Sequence, residues 1–271
     1  MTARRGKVKI GIFSAPMPLP SLSKAESYLQ RDYMEWVEMS GALPVIIPYN
    51  TRHLDEYLKS VNGLVWIGGA IENAETHSRS QYAKLRRTYE TAFEHATREN
   101  QKGNYYPIWG TCLGFDFLAL MGQPNHGVST MPKIHKTQNG TLKFKGTSRL
   151  RRAFSSSMQQ VIAREPVTHQ IHARGFDPTS AQTHRMEKYL RVISLDTSDK
   201  SPRQFVNAFE YKHYPFYGTQ WHPEKPVSSL SRQVAEQLSR FFKRECAKNK
   251  NRTEWFPPTG KIRSSETVLL T

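Results

Sequence analysis

The sequence predicts an α/β protein: a three-layer sandwich with a mainly parallel central sheet flanked by helices. Two observations predict it. Short apolar runs rich in β-branched and aromatic residues alternate along the chain with longer segments of helical period, and such alternation is the mark of a parallel sheet covered by helices. In addition, one strand-like run, Tyr106–Trp109, passes through a glycine-flanked turn directly into the apolar helical segment Leu113–Met121.

In chain order, Lys7–Phe13 reads as the opening strand. Ser21–Gly41 carries Tyr28, Tyr33, Trp36, Val37 and Met39 at roughly helical spacing, and Gly41 is a plausible stop. Leu43–Tyr49 is the next strand. His53–Val61 is a short helix with Asp55 and Glu56 in its first turn, and the run from Gly63 through Trp66 to Gly69 is a third strand ending in a glycine pair. Ser78–Glu99 is the longest helical pattern, with Tyr82, Leu85, Tyr89, Ala92, Phe93 and Ala96 on one stripe. The middle, from Gly122 to about Glu187, is less regular. Leu190–Leu195, Gln204–Phe209 and Tyr217–Trp221 then read as strands, and Ser228–Cys246 as a closing helix. Residues 1–248 form one expected catalytic domain, followed by a polar C-terminal tail over 249–271, with Trp255-Phe256-Pro-Pro as its one anchor-like cluster.

The 271 residues are ample for one large core. The apolar fraction is 37%, and no apolar run approaches the roughly 20 residues that span a bilayer. No membrane association is expected, and no export signal is visible in the sequence as given, so a cytoplasmic location is expected. Two cysteines, Cys112 and Cys246, do not make a disulfide framework. No metal-ligand spacing and no cofactor motif is present, and neither is expected. The net charge of +16 attracts polyanions: nucleic acid, an anionic membrane surface or a small polyacidic substrate. The basic run over 232–252 is equally readable as the solvated face of a helix.

The chemistry concentrates at Gly110-Thr-Cys112-Leu-Gly114. A sharp strand-to-helix turn puts its central residue in a strained backbone state, and flanking glycines remove side chains that would collide. Cys112 then projects from the carboxyl edge of the sheet, where open α/β sheets bind ligands. It stands at a helix N-terminus, which favours thiolate over thiol, and the N–H of Leu113 points at a developing oxyanion. A base is offered by Gln220-Trp-His222-Pro-Glu224, where a strand ends in His222 and Pro223 keeps the chain extended. Residues two apart in an extended segment project to the same side, so Glu224 can hold the His222 imidazole in one tautomer. Cys112, His222 and Glu224 complete a nucleophile, a base and an orienting carboxylate. A second oxyanion donor is sought in Trp66-Ile-Gly68-Gly69, which is also readable as an ordinary Gly-Gly turn.

Trp109-Gly-Thr-Cys112-Leu-Gly-Phe together with Tyr217-Gly-Thr-Gln-Trp-His222-Pro-Glu224-Lys resembles the γ-glutamyl hydrolases (folylpolyglutamate hydrolases) of the class I glutamine amidotransferase-like superfamily. The likeness runs from about Lys7 to Lys243 and is loose in the middle. It implies hydrolysis of γ-glutamyl amide bonds, most of all in folate poly-γ-glutamate tails, through an acyl-enzyme. It also implies an oxyanion hole at Leu113 and Gly69 and substrate contacts at Gly68, His172, Tyr28 and Asp116. His172 is selected over His169 by its spacing in Glu165-Pro-Val-Thr-His-Gln-Ile-His172. The chain departs from the family at Ala173-Arg-Gly-Phe, at Ala70, and at Asp116 and Phe117, which bears on substrate preference. A small poly-γ-glutamate is the implied partner, with no nucleic acid expected and a homodimer compatible with the sequence. Family members usually enter lysosomes or are secreted, the alternative location. Competing readings are a glutaminase domain that passes ammonia to a synthase, a hydrolase of another small γ-glutamyl conjugate, and a catalytically silent protein whose basic face binds nucleic acid.

Overall fold

The computed structural model describes residues 7–17, 25–69, 79–123, 131–252 and 267–270. Seven strands form the central sheet. They are β1 (Lys9–Phe13), β4 (Leu43–Ile47), β5 (Leu64–Trp66), β6 (Ile108–Thr111), β9 (Leu190–Thr197), β10 (Gln204–Tyr211) and β11 (Phe216–Thr219), in the order β4-β1-β5-β6-β11-β10-β9. The pairs from β4 through β11 are all parallel, and β10 runs against both its neighbours. The mainly parallel sheet expected from the alternation is therefore present, with one reversed strand.

Side chains alternate across this sheet as strand geometry requires. Leu64, Trp66, Ile108 and Phe216 enter one core, which is covered by α2 (Leu54–Ser60), α3 (Arg79–Gln101) and α4 (Leu113–Leu120). Val65, Ile67, Trp109 and Tyr217 enter the other, covered by α1 (Arg31–Glu38) and α7 (Ser229–Cys246). The three layers follow from that split. Helix α4 is buried at every position, which suits its apolar sequence LGFDFLAL. On α7, Ser228 caps the first turn in a reciprocal arrangement with Ser231. No helix among the described residues is long and apolar enough to cross a membrane.

Three expectations are corrected. The helix read from Ser21 begins only at Arg31. Residues 27–30 are instead β3 (Ser27–Gln30), held between β2 (Ala15–Pro16) and β12 (Thr267–Leu270), while residues 18–24 lie outside the described residues. Pairing with distant segments on both sides overrides a local helical spacing. The segment read as a polar tail is docked at both described ends. Asn249 is fully buried and accepts from Asn62 Nδ2, Asn251 Nδ2 donates to the Val61 carbonyl at 2.9 Å, and Val268 and Leu270 of β12 are buried. The Trp255-Phe256-Pro-Pro cluster lies outside the described residues. The irregular middle also carries elements that composition hid: β7 (Lys133–Lys136) paired with β8 (His172–Arg174), and the short helices α5 (Ser156–Ile162) and α6 (Ala181–Met186), each capped by a serine, Ser155 and Ser180.

The tightest backbone approach lies beside β5. A Cβ on Gly114 would stand 2.2 Å from the Trp66 carbonyl oxygen, and one on Gly110 would stand 2.5 Å from the Gly114 carbonyl oxygen. Both obstacles are main chain and cannot rotate away. Gly114→Ala should therefore destabilise the fold by about 3 kcal/mol or more, at or beyond the upper end for overpacking. Urea unfolding checks this; a loss under about 1 kcal/mol would mean that the crossing is not rigid.

Candidate active site

The site is assembled at the carboxyl ends of three adjacent strands, β5, β6 and β11. Cys112 follows β6 and is the N-cap of α4, with φ 50° and ψ −110°. Among the described residues it is the one non-glycine with positive φ. That conformation is costly for an L residue, and hydrogen bonds on both sides hold it. Cys112 N–H donates to the Thr219 carbonyl of β11 at 2.9 Å, and Gly114 N–H donates to the Ile67 carbonyl at 3.1 Å. The first ties the elbow to the strand that leads to His222, the second to the loop that carries Gly68 and Gly69.

His222 and Glu224 meet as the sequence implies, but not through an extended segment. Pro223 and Glu224 form a turn closed by Lys225 N–H donating to the His222 carbonyl at 3.2 Å, with proline at the second position of the turn. The turn brings Glu224 Oε1 to 2.6 Å from His222 Nδ1, with both side chains buried. Burial opposes a charge on His222. Glu224 and the Cys112 sulfur, which is hydrogen-bonded to the ring, outweigh it and push the imidazole pKa up to about 10. The resting imidazole is therefore protonated at neutral pH, and it sits against a sulfur at a helix N-terminus.

Gly68 separates the two. A Cβ there would stand 2.8 Å from His222 Cε1 and 3.2 Å from Cys112 Cβ, so only glycine leaves room between these two side chains. Its N–H donates to Tyr33 Oη at 2.7 Å. Burial, and after it the charge of Glu224, keeps the Tyr33 phenol well above its ordinary pKa. Sequence reasoning took Tyr33 as part of an apolar helix face; the only signal was that a buried tyrosine hydroxyl needs a partner.

Cys112 opens into a cleft of about 310 Å³, lined by Gly69, Cys112 and Asp116 on one side and by His135, His172 and Arg174 on the other. Leu113 is the first residue of α4, where the N–H has no intrahelical carbonyl to reach. Asp116 is buried in the same first turn. His172 lies between the Arg174 carbonyl, 2.8 Å from Nδ1, and Gln170 Oε1, 3.1 Å from Nε2. Burial pushes its pKa down to about 4, so it stands neutral. His169 lies outside this lining; its carbonyl accepts from His222 N–H, and its ring makes an edge contact with that of His222. Tyr28, on β3, does not line the cleft. His135 and Arg174 were missed because no local pattern marks a cleft wall built from two strands far apart in sequence.

The sequence model of the peptidase C26 family matches residues 10–224. Gamma-glutamyl hydrolase B of Dictyostelium discoideum is 26% identical over 260 residues, covering 90% of this chain and 73% of its own. The gamma-glutamyl hydrolase of Homo sapiens is 27% identical over 239 residues, covering 82% and 72%. Among solved structures, a putative GMP synthase protein from Thermoplasma acidophilum superposes with a TM-score of 0.55 at 17% identity, over 90% of this chain and 96% of that one. PurLQS from Thermotoga maritima does so with 0.51 at 16%, over 89% and 98%. These two likenesses establish the fold.

Two outcomes follow from the geometry. Cys112→Gly should be more stable than Cys112→Ala by about 1 kcal/mol, because glycine accepts the positive φ without strain; equal stabilities in urea would mean that the elbow relaxes. The His222 imidazole should titrate near pH 10 by NMR, and in Glu224→Gln its midpoint should fall, because the carboxylate raises it. The stability this proton contributes is complete below the unfolded value of about 6.5 and is lost as pH rises through about 10.

Proposed function

On the premise that this chain belongs to the peptidase C26 family, we propose that it hydrolyses γ-glutamyl amide bonds with Cys112 as nucleophile, His222 as general acid and base, and Glu224 as orienting carboxylate. The observation that carries the reading is the buried His222–Glu224 pair at 2.6 Å beside a cysteine held at positive φ, in a chain whose curated relatives are named gamma-glutamyl hydrolases.

The Cys112 sulfur attacks the γ-carbonyl carbon, and the oxygen takes the negative charge facing the N–H groups of Leu113 and Gly69. His222 gives its proton to the departing amine as the C–N bond breaks, leaving a thioester on Cys112. A water then gives a proton to His222 while its oxygen attacks the thioester. Collapse frees the γ-carboxylate and restores the thiolate and imidazolium. Glu224 keeps Nδ1 protonated throughout, so Nε2 is the nitrogen that exchanges protons with the reacting groups.

The substrate is a folate poly-γ-glutamate. A chain of net charge +16 suits a ligand that bears one carboxylate per tail residue. Both cysteines are free, which fits a reducing compartment such as the cytoplasm.

Incubation with folate pentaglutamate, glutamine and a γ-glutamyl polyamine in parallel, followed by product analysis, tests the substrate class. Cleavage of the pentaglutamate alone supports it, and preference for glutamine would replace it with a glutaminase. Cys112→Ala should fold and lose turnover by about a thousandfold or more. His222→Asn should be nearly as impaired and Glu224→Gln less so. If Cys112→Ala keeps more than about a tenth of the activity, a barrier change of about 1.4 kcal/mol or less, the nucleophile is elsewhere.

A further inference from the structure

We propose that Arg174 is the specificity residue of the Cys112 cleft and receives a carboxylate of the γ-glutamyl substrate, a reading that rests on the function proposed above.

Three observations converge on it. First, Arg174 carries the one permanent positive charge among the described residues that line the cleft. Its companion His172 is held neutral by burial, and Asp116 across the cleft is acidic, so any attraction for an anion inside the cleft centres on this guanidinium. Second, the side chain is placed rather than trailing into solvent. Its Nη1 donates to the Met131 carbonyl at 2.9 Å, and its own carbonyl lies 2.8 Å from Nδ1 of the half-buried His172 ring. Both ends of the residue are tied, and a planar guanidinium positioned in advance suits the two-oxygen geometry of a carboxylate. Third, Lys133 of β7 stands directly opposite Arg174 of β8 in the antiparallel register. Like charges facing each other across a ladder destabilise it. Lys136, the other cation of this two-stranded sheet, is paired to Asp199 at 2.9 Å, so Lys133 and Arg174 supply the positive potential at its other end.

Arg174 lies in Ala173-Arg-Gly-Phe, the stretch in which this chain departs from the family pattern. A residue there can set preference without entering the bond-breaking step.

The carboxylate has two sources: the α-carboxylate of the scissile γ-glutamyl unit, or one on the departing glutamate. Steady-state kinetics of wild type, Arg174→Gln and Arg174→Lys on three substrates distinguish them. These are γ-glutamyl-glutamate, a γ-glutamyl anilide that lacks the departing carboxylates, and the same anilide with its α-carboxyl converted to the amide. Arg174→Gln should raise KM for γ-glutamyl-glutamate by about tenfold or more with kcat changed less than about threefold, as expected for a lost charge-assisted contact in ground state and transition state alike. Arg174→Lys should recover part of this by keeping the charge without the fork. A penalty confined to γ-glutamyl-glutamate assigns the departing side, and one shared with the simple anilide assigns the acyl side. An equal penalty on all three substrates, a pure kcat loss, or no penalty would overturn the proposal and leave Arg174 as a staple between β8 and Met131. Wild-type inactivity on every γ-glutamyl compound would instead overturn the underlying function.

Discussion

The site depends on one constraint: the backbone crossing at which the turn after β6 presses against the end of β5. Gly114 can sit over the Trp66 carbonyl only because it has no Cβ, and at that distance its N–H reaches the Ile67 carbonyl. The same crossing forces Cys112 to a positive φ and holds it there. On the other side, the Cys112 N–H bonds to Thr219 at the end of β11. A strained conformation persists only when its surroundings over-determine it, and here two neighbouring strands do so. The outcome is that the Cys112 sulfur, the His222 strand and the glycine loop are brought together by main-chain bonds.

Electrostatics then act on that fixed frame. Burying His222 works against its charge, but the frame supplies two groups that reverse the balance, Glu224 on one side and the Cys112 sulfur on the other. The short turn through Pro223 makes the Glu224 contact local. Tyr33 joins this arrangement from α1, accepting the Gly68 N–H while facing Glu224. The N–H of Gly68 is thereby committed to structure, whereas Gly69 lies on the cleft wall. His172 shows the opposite outcome of burial: without a carboxylate partner it is driven neutral, although it lines the same cleft. Two histidines in one site thus take different protonation states from their surroundings alone.

The strand–helix alternation, the elbow and the pairing of His222 with Glu224 were legible in the sequence because each is written in neighbouring residues, although the turn that closes the pair was read as an extended segment. Glycines on both sides of Cys112 report the collision they avoid. Alternating apolar runs report the two cores, and Glu224 lies within two residues of the histidine it contacts. Tyr28 and the chain end were misread for the converse reason. A strand such as β3 exists because residues 15–16 and 267–270 pair with it, and those pairings leave no trace in its own spacing. The β7–β8 wall, which brings His135 and Arg174 to Cys112, joins segments some forty residues apart in a stretch without regular periodicity. By itself, then, the sequence determined the fold class, the sharp turn at Cys112 and the pairing of His222 with Glu224, since short-range sterics and hydrophobic period encode them. The tertiary structure alone decided which side chains wall the cleft and which protonation states its histidines take, since both depend on burial and on neighbours contributed from distant parts of the chain.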